Sequence, residues 1–150
     1  VLEATKTLLK NPNDLDTRSI IMMGASLSTS SRLGIGKEEA YAYDIYELEF
    51  LPEKLFGSSY RRSLTSIFPR FLEAMGKRHK EDVRKYYLDV FGFDSSIEES
   101  SRKLVALFSD FGVDMYYDGI INREQVGCIP CDTELDENEI FEMINGLIRK

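Results

Sequence analysis

FPRFLEAMGKRHKEDVRKYYLDVF, residues 68–91, carries two apolar stripes separated by a polar joint, and that arrangement decides the fold class. Phe68, Phe71, Leu72 and Met75 fall at i, i+3, i+4 and i+7, the spacing that lines one side of an α-helix. Gly76 is placed to end that helix, and GKRHKED, residues 76–82, reads as an exposed connector in which His79 is a solvated residue. Val83, Tyr86, Tyr87, Val90 and Phe91 restart the period, and Gly92 interrupts it. The same spacing recurs in Leu104, Leu107, Phe108 and Phe111, then in Ile140, Met143, Ile144 and Leu147. Ser96 with Glu99 and Asp136 with Glu139 supply N-terminal caps for these last two segments. Strand signals are few: there is no long alternating run and no tight turn between β-rich segments. The expected fold class is therefore mainly α.

Upstream the pattern is less regular. VLEATKTLLK reads as a short helix halted by NPND and its Pro12. GASLSTSSRLGIGK, residues 24–37, is rich in Ser and Gly and reads as a loop or linker. From Lys37, Tyr41, Ile45 and Leu48 predict a helix to about Phe50, with Pro52 breaking it and leaving Leu55 and Phe56 in the connection. The expected division is an irregular N-terminal segment, 1–36, and a helical domain, 37–150.

A chain of 150 residues with 43% hydrophobic and 30% charged residues is long enough to bury a core without disulfides or metal. Its net charge of −7 opposes a general nucleic-acid or anionic-membrane surface, both of which need clustered Lys and Arg. The longest apolar stretches, such as SIIMMGASL at 19–27, fall short of the roughly 18 residues a membrane span requires. An intracellular location is expected: cytoplasmic, or organellar if Val1 follows a removed targeting peptide. No G-x-S-x-G, H-E-x-x-H or complete phosphate-loop motif occurs, so no catalytic residue is assigned and no enzymatic activity is expected.

Three stretches, in order, resemble the EF-hand superfamily in its calmodulin and myosin-light-chain branch. Residues 68–91 look like an exiting helix, a central connector and the next entering helix. DGIINREQV, residues 118–126, looks like the second half of a calcium loop, with Ile121 as the β-bridge residue and Val126 opening the exiting helix. LDENEIFEMI, residues 135–144, is similar to the capped start of another entering helix. The resemblance implies an EF-hand-like helical bundle in one or two lobes. Setting Gly119 at loop position 6 places Asp114 at 1, Tyr116 at 3, Asp118 at 5, Ile120 at 7 and Gln125 at 12, with Glu124 one place early. A neutral phenol and a neutral amide stand where hard anionic oxygens are wanted. The candidate metal set Asp114, Asp118, Ile120, Glu124 and Gln125 is thus a degenerate loop expected to leave calcium unbound, and no cofactor is expected.

Cys128-Ile129-Pro130-Cys131 is the remaining chemical motif. The pair can close a small redox disulfide, and a helix starting after it would stabilise a thiolate at Cys131. The alternative is two semi-buried thiols at a turn between helices. The leading functional expectation is a non-enzymatic binding or scaffold protein resembling a light chain, which holds an amphipathic partner helix or serves as a subunit of a larger complex. Its partner-binding candidates are Phe68, Phe71, Met75, Tyr87, Phe91, Phe108 and Met143, because flexible Met and aromatic side chains suit a helix groove. A thiol-redox protein using Cys128 and Cys131, or an accessory subunit of an organellar complex, are the alternatives.

Overall fold

The computed structural model describes residues 1–28 and 44–149, and the chain divides into two compact units, Val1–Ala42 and Tyr43–Lys150. Among the described residues there are eight helices and no strand.

In the first unit, α1 (Leu2–Lys10) and α2 (Leu15–Ser28) pack against each other across a turn. Pro12 and Asn13 make that turn, and the Asp14 side chain accepts the Thr17 N–H at 2.8 Å to cap α2. The Val1 side chain lies against Gly24, where a Cβ would stand 2.5 Å from Val1 Cγ2. The apolar run at 19–27 is thus helical. Residues 24–28, expected as the start of a linker, are instead the last turn of α2. Ala25 is a strong helix former, and the serines sit at the frayed end where backbone competition matters least. The rest of the expected linker, and the start of the helix expected from Lys37, lie outside the described residues.

The second unit holds α3 (Asp44–Phe56), α4 (Tyr60–Met75), α5 (Lys80–Phe91), α6 (Ile97–Asp110), α7 (Arg123–Gly127) and α8 (Glu137–Asn145). Helix α4 is central: α3, α5, α6 and α8 all pack on it. Its Phe71 and Ile67 join Leu48, Leu51, Ile140, Ile144 and Leu147 in one buried cluster. Its Leu72 joins Val83, Tyr87, Ile97 and Leu104 in a second. Phe68 and Met75 touch both clusters, so the i, i+3, i+4, i+7 stripe of α4 is what fuses them. Ser63, Ser66, Ser100 and Ser101 are fully buried. Ser101 Oγ on α6 donates to the Pro69 carbonyl on α4 at 3.0 Å, so small side chains allow those helices a close approach.

The α4 and α5 boundaries fall where the glycines place them. Gly76 caps α4. Gly92 caps α5 at φ +70°, a left-handed conformation open to glycine, with its N–H bonded to the Leu88 carbonyl. The exposed connector is shorter than expected, because Lys80, Glu81 and Asp82 already belong to α5. Within α5 the buried residues are Val83 and Tyr87, while Tyr86 and Val90 face solvent. Pro52 does not end α3, which runs on to Phe56. Proline removes one backbone donor, but the Pro52 ring is itself fully buried and Leu51 and Leu55 continue the core face. That burial offsets an interior-proline cost of about 3 kcal/mol.

Caps read from the sequence form as expected at α8 and in part at α6. Ser96 Oγ accepts the Glu99 N–H. Asp136 and Glu139 make both halves of a capping box, at 2.9 and 3.1 Å. Asp136→Ala should therefore cost about 1 kcal/mol in chemical denaturation, and Asp136→Asn much less, since Asn restores the accepting oxygen. Glu139 also takes two bonds from Arg78, at 3.0 and 2.5 Å, tying the α4–α5 connector to α8. The Arg78 guanidinium holds the Glu139 carboxyl down at about 2.

Candidate functional site

The loop that resembled a calcium site is a joint closed by arginines. Asp114 lies beyond the end of α6, and both its carboxylate oxygens are engaged. Arg62 of α4 donates to Asp114 Oδ2 at 2.9 Å, and Arg149 contacts both oxygens at 3.1 and 3.2 Å. Arg62 also donates to the backbone carbonyls of Asp114 and Tyr116. Arg149 pairs with Asp118 at 3.2 Å. Gln125, placed at the last ligand position, instead accepts the Asn122 N–H at 2.9 Å and completes the capping box of α7. Ile120 is 94% exposed, and Glu124 is exposed on α7. Among the described residues no group of three or more His, Cys, Asp or Glu side chains converges as a metal site.

Tyr117 is the pivot of this joint. Its ring stacks on Phe56 of α3 with centroids 4.6 Å apart, and the Arg62 guanidinium covers it at 4.3 Å. Its hydroxyl lies 2.9 Å from both Ser58 Oγ and Ser66 Oγ. Its backbone pairs in parallel with the segment after α8: the Tyr117 N–H donates to Leu147, and Arg149 N–H donates to the Tyr117 carbonyl. The β-bridge therefore forms at Tyr117 with Ile148, and not at Ile121, whose side chain fills the first core cluster. Both side chains are buried in that cluster; what distinguishes Tyr117 is its hydroxyl, which reaches Ser66 of α4 and Ser58 just before it. Gly119 holds φ +146°, a conformation that L side chains rarely adopt, at a bend just after the bridge.

The cysteines are separated by environment. Cys128 is exposed at the C-terminal end of α7, and Cys131 is half-buried. Burial, followed by the Glu47 carboxylate, pushes the Cys131 thiol up. Its Sγ faces the Glu47 carbonyl at 3.8 Å. The helix expected to stabilise a thiolate at Cys131 begins only at Glu137, and the nearer helix end, at Cys128, is a C-terminus, whose dipole opposes negative charge. Cys131 also lines a cavity of about 450 Å³ with Val126, Ile129, Leu135 and Ile140.

The partner-binding candidates are core residues. Phe71, Tyr87 and Met143 are buried, and Phe68, Met75, Phe91 and Phe108 pack half-buried against the two clusters. Phe68, Phe71 and Met75 are on α4 itself, where α3, α5, α6 and α8 pack. Burial pushes the Tyr87 phenol up to about 12.

Exposed aromatic surface lies elsewhere, on α3 and at the start of α4. Tyr46, Glu49, Phe50 and Glu53 stand at i, i+3, i+4 and i+7, a second stripe beside the Ile45–Leu48–Leu55 core face. Tyr46 and Phe50 are exposed, Phe50 at 46%, and Tyr60 at the start of α4 is also exposed. Glu49 between them is only 2% exposed, and its Oε2 has no hydrogen-bond partner. Burial, then the Glu53 charge, lifts the Glu49 carboxyl to about 7. The Tyr60 phenol is raised by burial and then by Glu49, Tyr46 and Glu53, which places the four groups in one electrostatic neighbourhood. The signal was present in YELEFLPE, where a helical period of aromatic and acidic residues runs alongside the core period. Among the described residues no helix is long and apolar enough to cross a membrane. Comparison of the chain with models of protein families, with curated proteins and with solved structures gives no significant match.

Proposed function

We propose that this chain is a non-enzymatic helical binding or scaffold protein, which holds a partner segment or sits as a subunit of a larger assembly through the outer stripe of α3. The carrying observation is the group of exposed aromatic side chains, Tyr46, Phe50 and Tyr60, around an acidic helix face. Aromatic residues are enriched at the buried centres of protein interfaces, where they supply large contact area at low entropy cost. In this reading the Tyr43–Lys150 unit is an EF-hand-like frame of the light-chain kind, in which Arg62 and Arg149 take the place of a cation in bracing the loop. No cofactor is required, calcium included. A protein partner suits the net charge of −7 better than nucleic acid does.

The test is site-specific photocrosslinking in the native extract, with benzoylphenylalanine replacing Phe50 and, as a control, exposed Ala106 on α6. A discrete adduct formed from position 50 and absent from position 106 is expected. Identical patterns from both positions, or none from position 50, would overturn the reading.

A further inference from the structure

We propose that the cavity between the end of α4, the start of α5 and the start of α6 binds a small phosphate monoester as its dianion, with Lys77, Lys80 and Arg84 as the cationic ligands. It is independent of the α3 surface described above.

The cavity has a volume of about 550 Å³, and Gly76, Lys77, Lys80, Arg84, Ser96 and Ile97 line it. Gly76 and Ile97 are buried and form an apolar floor. A Cβ at Gly76 would stand 2.6 Å from Ile97 Cδ1, so glycine lets the end of α4 close on the start of α6.

Cations gather on the walls although the chain carries a net charge of −7. Lys77, Arg78, Lys80, Arg84 and Lys85 all fall within residues 77–85. Arg78 is committed to Glu139, and Lys85 pairs with Asp89. Lys77 reaches Glu139 only at 3.7 Å, beside Arg78. Among the described residues Lys80 and Arg84 make no ion pair at all. Two acids also touch the cavity, and both are engaged. Glu73 pairs with Arg70 at 3.1 Å. Glu98 is held by its own backbone N–H and by the Ser96 hydroxyl, which with Arg102 and Lys80 keep its carboxyl below the usual range. An anion therefore already rests at the edge of this cavity, and it is the protein's own.

A phosphate monoester matches these walls better than a carboxylate or a sulfate ester. Its two charges answer three cations, and the Arg84 fork can take two of its oxygens while the lysines reach the third. The first-turn N–H groups of α6, a helix of 14 residues, open toward the same space and add donors. Pockets for small organic ligands run from roughly 300 to 1,000 Å³, so this one has room for the body of the ester as well. Ile97 and the lysine stems give that body an apolar wall.

The test is a 15N NMR titration of the whole chain with phenyl phosphate, at about pH 8, where the ester is a dianion, and at roughly 0.15 M salt. Phenyl sulfate, a monoanion of the same shape, and inorganic phosphate run beside it. Phenyl phosphate should shift the Ile97 and Glu98 amides saturably, with a dissociation constant on the order of 1 mM. Phenyl sulfate should bind about three- to tenfold more weakly, having one charge fewer. Lys80→Gln and Arg84→Gln, both at exposed positions, should each weaken phenyl phosphate by about threefold or more. Glu98→Gln should strengthen it by about threefold, because the internal competitor loses its charge. Equal binding of the two esters, shifts that do not saturate, or unchanged affinity in both Lys80→Gln and Arg84→Gln would each overturn the proposal. So would weaker binding by Glu98→Gln, since the carboxylate would then be a ligand and not a competitor. Inorganic phosphate that binds as tightly as the ester would overturn the assignment of an organic body to the ligand.

Discussion

Replacing Tyr117 by alanine should lower the unfolding free energy by about 3–5 kcal/mol, among the largest losses expected from one substitution in this protein. Three contacts disappear together. The ring leaves its stack with Phe56, and the Arg62 guanidinium loses its aromatic face. The hydroxyl leaves Ser58 and Ser66. Ser66 is fully buried but still donates to the Ser63 carbonyl at 3.1 Å, so it is not orphaned. Tyr117→Phe separates the parts: it keeps the ring and should cost only about 1–2 kcal/mol. Denaturant unfolding of both variants measures the difference. A loss below about 1 kcal/mol for Tyr117→Ala would show that the joint between α6 and α8 is not held by this side chain.

Glu49→Gln should do the opposite and stabilise the fold, by an amount that depends on pH. In the folded chain the carboxyl titrates at about 7, against an ordinary value of 4.5. Between those pH values the folded state holds a proton that the unfolded state has released, so stability falls as pH rises through the window. Above pH 7 the penalty is complete and corresponds to about 3 kcal/mol. Glutamine keeps a polar atom in the same place without charge. It should recover about 2 kcal/mol at pH 8 and almost nothing at pH 4, because its amide also lacks a partner. Glu139 provides an internal contrast. Its carboxyl is held at about 2 by Arg78, so its contribution is present above pH 4.5 and is lost as pH falls toward 2. The two windows do not overlap, and unfolding curves across pH 3–8 will separate them. A wild-type stability that is flat from pH 5 to 8 would contradict the buried, charged Glu49.

The helices of the second unit were legible because each carries its own period and its own stops. Phe71 and Leu72, Ile140 and Ile144, and the caps at Ser96 and Asp136 are local signals, fixed by spacing along one segment. The misreadings share another origin. At Pro52 the local rule weighs a missing donor and predicts a break, whereas the helix is decided by the core that buries the ring. Composition alone predicts a linker at Ala25 and the serines beside it, although they close an apolar helix. The seven aromatic and Met groove candidates were identified correctly as apolar faces. Whether such a face meets a partner or another helix of the same chain depends on what packs over it, and here α4 is enclosed on several sides.

The sequence by itself determined that this chain is mainly helical, where α4 and α5 stop and where α6 and α8 start, and that Tyr116 and Gln125 interrupt the ligand order of the 114–125 loop. Those properties follow from periodicity, capping and side-chain chemistry, which act over a few residues. Only the tertiary structure decided that Asp114 meets Arg62 from 52 residues away and Arg149 from 35. It alone put Tyr117, and not Ile121, in the bridge, and left Glu49 Oε2 buried with no hydrogen-bond partner. Each of these depends on which surfaces the packing of α3 and α8 on α4 covers and which it leaves open, and no local spacing encodes that.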